Sequence, residues 1–485
     1  MSEKTKLLGI SVKKSEDFSE WYTQVVLKAE LCDYAPVHGC IVIREYGYAI
    51  WEKIQKILDE KFKKMGVKNV YFPSLIPESL LTKEAEHFKG FKPEVAWVTH
   101  GGDSPLQEKL AIRPTSETIM YCMFSKWIKS WRDLPLKVNQ WCNVVRWEIK
   151  STKPFLRTTE FLWQEGHTVH ETFEDAEKQV MEVLQVYKDL VENYLAIPVI
   201  VGKKSEGEKF AGALYTTTLE AIMPDGRAVQ MGTSHHLGQN FAKAFEIKFT
   251  GRDGKMHYAW QTSWGVSTRL IGALVMVHGD DKGLVLPPRI APIHVVIIPI
   301  FYNEEQEKIV MKYIDEIRKK LEEKDIVVYV DDRKEKTPGW KFYEWELKGV
   351  PLRLEIGPRD TQNNTVVVFR RDLLKKETVN VEDFINNVEK ILDDIQQTLF
   401  NKAKKLLEEF TTYVETFNEF KKVIETKGGF IVAPWCGTLE CEEAIKEETG
   451  ATVRAIPFDQ PKELNKPCVY CGSKAKYIAY FAKSY

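Results

Sequence analysis

The sequence has no apolar run approaching the roughly 20 residues needed to cross a bilayer, and its opening stretch, MSEKTKLLGISVKKSEDFSEW, has no hydrophobic signal core. Neither a membrane protein nor an exported one is expected, and the expected location is cytoplasmic. Net charge is also missing, since 69 basic residues against 70 acidic ones leave −1. That excludes a polycation binding nucleic acid through its whole surface. Any such contact must use local runs, such as Arg333, Lys334 and Lys336, or Arg370, Arg371, Lys375 and Lys376. Each run also suits an ordinary solvated loop. There is no internal repeat and no low-complexity tract. Cysteine is scarce, with eight in 485 residues, and a cytoplasmic chain is not expected to pair them as disulfides.

What is present is enough chain for two to four domains, each with its own core. Cys32, Cys40, Cys122 and Cys142 are scattered, whereas Cys436, Cys441, Cys468 and Cys471 crowd the last fifty residues. The last two form CVYCG, a zinc-ribbon type of knuckle, although the first pair is spaced more loosely than usual. Up to about residue 285, helical patterns mix with long strands. Tyr46, Ile50, Ile54, Ile57, Leu58 and Phe62 recur at helical spacing, Gly66 ends that helix, and a strand VKNVYFP stops at Pro73. A second amphipathic helix is predicted over 171–195. ALYTTTLEAIMP and AVQMGTSHH flank Pro224-Asp225-Gly226 as a hairpin. Beyond Pro287-Pro288 strands and helices alternate (IHVVIIPI, a helix over 303–323, DIVVYV, a helix over 339–348, PLRLEIG, TVVVFRR), which predicts an α/β domain with a mostly parallel sheet. A broken, charged helical pattern runs from about 380 to 426.

The most informative stretch is the hairpin VVRWE…RTTEFLWQEGH. Alternate strand residues share a face, so Arg146 and Glu148 are expected together, and Arg157, Phe161, Trp163, Glu165 and His167 together opposite them. Such a face suits a charged, planar ligand such as an adenine nucleotide, with Arg146 forked on a phosphate, Phe161 under a purine and Glu148 accepting from its amine. It also suits a salt-bridged sheet surface. Arg269 follows a strand predicted to turn at Gly265 into an apolar helix, where a helix start attracts anions. In LAIRPTSETIM, Thr115 and Glu117 could receive an ammonium or imino group, or simply cap a helix. In QMGTSHHLGQNF, Gln230, Thr233 and His235 could line the same pocket. His235 and His236 face opposite ways on a strand and make a poor metal pair.

These stretches together resemble class II aminoacyl-tRNA synthetases. The helix ending at Gly66 resembles motif 1, Arg146-Trp147-Glu148 through Phe161 motif 2, and Arg269 the motif 3 arginine, although several motif 3 glycines are reduced here to Gly265. RPTSET, FLWQEGHT, GTSHHLGQNF, QTSWGVSTR, GWKFYEWELKGVPLRLEIGPRD and the cysteine-bearing tail resemble the archaeal and eukaryotic type of the prolyl-tRNA synthetase family, over nearly the whole chain.

The resemblance implies an α+β catalytic domain on an antiparallel sheet (1–285), an α/β anticodon-binding domain (286–395) and a small α/β zinc-containing domain (396–485). It implies proline activation with ATP and Mg²⁺, transfer to tRNA(Pro), and a homodimer built on motif 1. Arg146 and Arg269 become the catalytic charges. Arg146, Glu148, Arg157, Thr158, Phe161, Gln230, Thr233, Ser267 and Arg269 are expected to hold ATP. Thr115, Ser116, Glu117, Arg146, Trp163, Glu165, His167 and His235 are expected around L-proline. Glu344, Arg353, Glu355, Arg359 and Asp360 are expected to read the anticodon, and the four clustered cysteines to hold a structural Zn²⁺. The rivals are a threonyl, histidyl or glycyl relative, and a non-catalytic tRNA sensor. A threonyl site needs an active-site zinc whose ligands are missing from 100–270, and a sensor would be expected to lose the motif arginines.

Overall fold

The structure, a computed structural model, describes residues 9–87, 94–149 and 151–485. The first eight residues, part of the stretch read above for an export signal, lie outside these. Helix α1 (Glu45–Lys64) buries Tyr46, Ile50, Ile54, Leu58 and Phe62, the stripe its periodicity predicted. It ends where Gly66 takes a φ of +77°. There the Gly66 and Val67 amides donate to the Lys63 and Phe62 carbonyls, which satisfies the last turn. The strand after it is only β1 (Lys68–Asn69), much shorter than VKNVYFP suggested.

The rest of the catalytic region lays a sheet over its helices. In chain order come α2 (Glu117–Trp127), β2 (Leu136–Val145), β3 (Glu160–His170), α3 (Phe173–Asp189), β4 (Ile200–Lys203), β5 (Tyr215–Ile222), β6 (Ala228–Gly238), β7 (Trp260–Ser267) and α4 (Arg269–His278). The hairpin about Asp225-Gly226 is β5–β6, and Gly226 supplies the positive φ its turn requires. Strand β7 does not turn at Gly265. It continues to Ser267, and a Cβ on Gly265 would lie 2.9 Å from the Gln164 carbonyl of β3. This glycine serves close strand packing inside the sheet. One face of the sheet packs on α1, α3 and α4 in a single core that includes Trp51, Phe62, Tyr187 and Trp264.

The next region contains β8 (Val295–Pro299), α5 (Glu304–Glu322), β9 (Val328–Val330), α6 (Pro338–Leu347), β10 (Leu352–Ile356), β11 (Thr365–Arg370), β12 (Lys375–Asn380) and α7 (Val381–Glu409). The sheet order is β9-β8-β10-β11-β12, with parallel pairing on both sides of β8 and antiparallel pairing beyond β10. The mostly parallel expectation is therefore half right. KKETVN is an exposed, charged edge strand that hydrophobic patterning cannot reveal. Helix α7 runs unbroken through residue 395, and its Ile395 and Leu399 both pack into this domain's core.

The tail contributes β13 (Thr411–Tyr413), α8 (Phe417–Thr426), β14 (Phe430–Trp435), α9 (Leu439–Thr449), β15 (Thr452–Pro457) and β16 (Tyr477–Ala482). It does not form a separate sheet. Strand β15 pairs antiparallel with β4, so one eleven-stranded sheet runs β13-β14-β16-β15-β4-β5-β6-β7-β3-β2-β1. Among the described residues no helix is long and apolar enough to cross a membrane.

Candidate active site

The face of the central sheet opposite α3 opens into a cavity of about 240 Å³. Period-two alternation along β3 puts Phe161, Trp163, Glu165 and His167 on its wall. The intervening Gln164 points the other way and accepts from the Tyr187 hydroxyl at 2.6 Å. Strand β6 adds Gln230, Thr233 and His235, and β7 adds Ser263, Gly265 and Ser267. Thr115 and Glu117 enter from the start of α2, and Arg269 is the first residue of α4. The pattern reading missed Glu208, Phe210, Thr216, Ser263 and Trp264, which also line the cavity. The first two sit on a loop with no periodicity to expose them.

Arg146 lies one residue beyond β2, so strand alternation is not what orients it. Its amide donates to the Thr159 carbonyl at 2.8 Å, and its Nε donates to the Pro114 carbonyl at 3.2 Å. These bonds hold the guanidinium over Phe161 at 5.3 Å and Trp163 at 5.6 Å from the ring centres. Its other nitrogens remain aimed at the cavity's contents. Glu148 and Arg157 also lie outside the strands, exposed on the loop between β2 and β3, and Thr158 beside them donates its hydroxyl to the Glu160 carbonyl at 2.7 Å. None of these three lines the cavity as it stands. Burial draws Arg269 down to about 10, with Arg146 and Arg454 adding repulsion. Two guanidinium groups thus face a common space, and an anion would relieve both.

At the other end, Glu165 is buried and heavily bonded. It accepts from Ser116 Oγ, from Gln140 Nε2 at 3.0 Å and from Cys142 Sγ at 3.4 Å, and its second oxygen is 3.2 Å from His167 Nε2. Burial opposes its charge, but the His167, Ser116 and Gln140 bonds prevail and hold the carboxyl below its usual range. Burial likewise opposes protonation of His167, and Glu165 and Glu117 outweigh it, so the imidazole is raised. Its Nδ1 is 2.9 Å from the Tyr121 hydroxyl. Ser116 is at the N-cap position of α2 but makes no capping bond, because its hydroxyl serves Glu165 instead. Glu117, bonded by Thr115 Oγ1, is pushed up by burial, with Glu165 adding to the rise and His167 opposing it. Burial drives His235 down to about 3, so it stays neutral between Thr216 Oγ1 at 2.9 Å and Thr233 Oγ1 at 3.2 Å.

The remaining predicted residues lie elsewhere. Glu344 pairs with Arg333, while Arg353 donates to Glu355 at 2.8 Å and lies against Phe369 at 4.1 Å. Glu355 also takes Lys376 at 2.6 Å, and Asp360 caps the Pro358–Asn363 helix by accepting from the Gly357 amide at 2.8 Å. Of the five, Arg359 alone is exposed. The sulfurs of Cys436, Cys441, Cys468 and Cys471 all lie within 4.8 Å of one another.

Comparison with known proteins accounts for this geometry. Residues 97–278 match the family model "tRNA synthetase class II core domain (G, H, P, S and T)", 294–391 match "Anticodon binding domain", and 417–485 match "Prolyl-tRNA synthetase, C-terminal". The chain is 55% identical to a proline–tRNA ligase of Alkaliphilus oremlandii over 100% of both chains. It is also 55% identical to that of Cenarchaeum symbiosum, covering 99% of this chain and 100% of the relative. A crystal structure of prolyl-tRNA synthetase from Cryptosporidium parvum, complexed with halofuginone and AMPPNP, superimposes with a TM-score of 0.94 at 46% identity, covering 99% of this chain and 100% of that one. The chain belongs to the prolyl-tRNA synthetase family of class II aminoacyl-tRNA ligases.

Proposed function

We propose that the cavity activates L-proline with ATP and passes it to tRNA(Pro), with its two ends divided between the substrates. The observation that carries this reading is Arg146, held by Pro114 and Thr159 between an aromatic wall and the Glu117–Glu165–His167 cluster. The proline carboxylate attacks the α-phosphate, releasing pyrophosphate and leaving prolyl-adenylate. Such a step needs alignment and charge neutralisation more than a general base. Arg146 holds both the carboxylate and the α-phosphate, and Arg269 at the start of α4 takes the other phosphates with Ser267. Phe161 stacks under adenine while Gln230 and Thr233 meet the sugar and base. Glu148, Arg157 and Thr158, on the adjoining loop, close on the nucleotide from outside. Mg²⁺ enters as part of the ATP substrate. Glu165 is occupied by Ser116 and His167, and Glu117 by Thr115, so the phosphates are left to carry the ion.

Thr115, Glu117 and neutral His235 surround the ring and imino group of proline, Trp163 walls them, and Ser116, Glu165 and His167 fix that wall from behind. Charging of a tRNA(Pro) transcript with labelled proline tests the whole sequence of steps. Absence of prolyl-tRNA with an active ATP pool would contradict it. In the 286–395 domain, the exposed Arg359 is the residue proposed to meet anticodon bases, with Glu344 reaching them only by leaving Arg333. Arg353, Glu355 and Asp360 hold the sheet and helix that present it. The exposed apolar Tyr34, Val37, Val42 and Tyr48 lie on the first small hairpin and α1, and they support a homodimer through motif 1. The cytoplasm is the proposed compartment.

The four cysteines of the 396–485 unit fit zinc. Sulfurs about 2.3 Å from a tetrahedral zinc stand roughly 3.8 Å apart, a small contraction of the cluster as it lies. A site of four thiolates is closed and structural, so zinc would fasten α9 to the loop before β16. Elemental analysis of purified protein is expected to give about one zinc per chain. A folded protein free of metal would contradict the assignment.

Proline differs from alanine by lost methylenes, and a small apolar pocket gains only ~1–3 kcal/mol from such a difference. Between β3 and β7 the chain is used up by α3, β4, β5, β6 and short connections, with no room for an editing domain. Alanyl-adenylate is therefore expected to form, and alanyl-tRNA(Pro) to persist with the isolated protein. Its rapid hydrolysis would refute the expectation.

A further inference from the structure

The C-terminal unit approaches the cavity from behind through two side chains. Arg454 of β15 is 6% exposed and grips Glu220 of β5, Nε at 3.0 Å and Nη2 at 2.9 Å. Glu220 is wholly buried and also accepts from Lys204 Nζ and the Thr218 hydroxyl, both at 2.7 Å. Arg454 Nη1 stands 4.0 Å from Glu208, on the cavity wall. Glu442 of α9 accepts from the Ser205 hydroxyl, and its carboxylate lies so close over Gly207 that an added Cβ would be 3.0 Å away.

Between these anchors runs the segment 204–210. Ser205 receives the Glu208 amide on its hydroxyl at 3.2 Å and the Lys209 amide on its carbonyl at 3.0 Å. The segment therefore cannot shift while Ser205 is held. Its last residue, Phe210, donates its amide to Thr216 Oγ1 at 3.0 Å, the same oxygen that lies 2.9 Å from His235 Nδ1. Its ring packs 4.8 Å from the His235 ring. A continuous set of bonds thus leads from Glu442 to the amino-acid end of the cavity. Buried ion pairs are a poor way to glue two domains, because desolvation offsets most of their attraction. Their specificity of geometry is the better reason for them here.

We propose that Glu442 and Arg454 are positioning residues for proline binding. They fix the 204–210 segment so that Glu208 and Phe210 stand as a wall of the pocket, which makes the C-terminal unit part of the amino-acid site. The proposal rests on the assignment of that end of the cavity to proline. Ser205 is the joint, and Glu442 acts on substrate only through it.

Steady-state ATP–pyrophosphate exchange on the full-length protein tests this, with Glu442→Ala, Glu442→Gln and Arg454→Met, alongside limited trypsin cleavage after Lys209. Glu442→Ala is expected to raise KM for proline about tenfold while kcat stays within about twofold. Glu442→Gln, which keeps an acceptor for Ser205, regains most of that loss. Arg454→Met moves KM for proline the same way, and both E442A and R454M are cut faster after Lys209. An E442A protein with wild-type KM for proline and wild-type protection at Lys209 overturns the proposal. So does a loss of kcat in all three variants that tracks lowered melting temperature and zinc content, since that is what a purely structural contact would do. If the wild-type protein shows no proline-dependent exchange, the proline reading fails instead, and the cleavage rates alone decide whether Glu442 holds the segment.

Discussion

Arg146→Ala is expected to lower proline-dependent ATP–pyrophosphate exchange about a thousandfold, roughly 4 kcal/mol of transition-state stabilisation. The magnitude follows from position. The guanidinium is fixed by the Pro114 carbonyl and the rings of Phe161 and Trp163, so it requires little reorganisation as charge builds on the α-phosphate. It also meets both reactants, so its removal loses alignment and neutralisation together. Arg146→Lys should recover only a small part, because an ammonium keeps the charge but not the planar fork. The alanine variant should stay folded, since Arg146 makes no buried ion pair in the core. A kcat within tenfold of wild type would show that Arg269 alone carries the charge.

Glu165→Ala is expected to damage stability as well as proline binding. It strands the Ser116 hydroxyl, the Gln140 amide and the His167 imidazole in a buried pocket. Breaking such a pair from one side costs about 3 kcal/mol or more. The effect depends on pH in a defined direction. Glu165 is held below its reference value of 4.5, so its contribution is fully present above that value and is lost as pH falls through the depressed one. His167 is raised above its reference value of 6.5, so its contribution is fully present below 6.5 and is lost as pH rises through the raised one. The difference in urea midpoint between wild type and Glu165→Ala should therefore be largest between pH 4.5 and 6.5 and shrink toward alkaline pH. A difference that grows with pH instead would mean that the imidazole is neutral in the folded protein.

How much of this was legible in the sequence depends on which residues lie in regular structure. Phe161, Trp163, Glu165 and His167 were found together because a period of two is a property of any strand, and β3 is a strand over its whole length. Arg146, Glu148 and Arg157 were placed by the same alternation, although all three lie just off the strand ends, where a loop sets direction by its own hydrogen bonds. Arg146 reaches the cavity for that reason, and Glu148 and Arg157 do not line it. Glu208 and Phe210 were missed because loop residues carry no periodic signal. The pairing of β15 with β4 leaves no trace in local sequence either, since it joins segments about 250 residues apart. The predicted boundary at 395 fell inside α7 because a change in charge texture along a helix is not a change of element. The four cysteines converged as their composition suggested, despite the loose Cys436–Cys441 spacing, because Cys441 opens the first turn of α9 and folds back toward Cys436.

The most direct test is amino-acid-dependent ATP–pyrophosphate exchange by the wild-type protein, run in parallel with proline, threonine, histidine, glycine and alanine. Proline is predicted to give the dominant signal, with alanine weaker and the other three near background. Dominance of threonine, histidine or glycine, or no exchange with any of the five, would contradict the account.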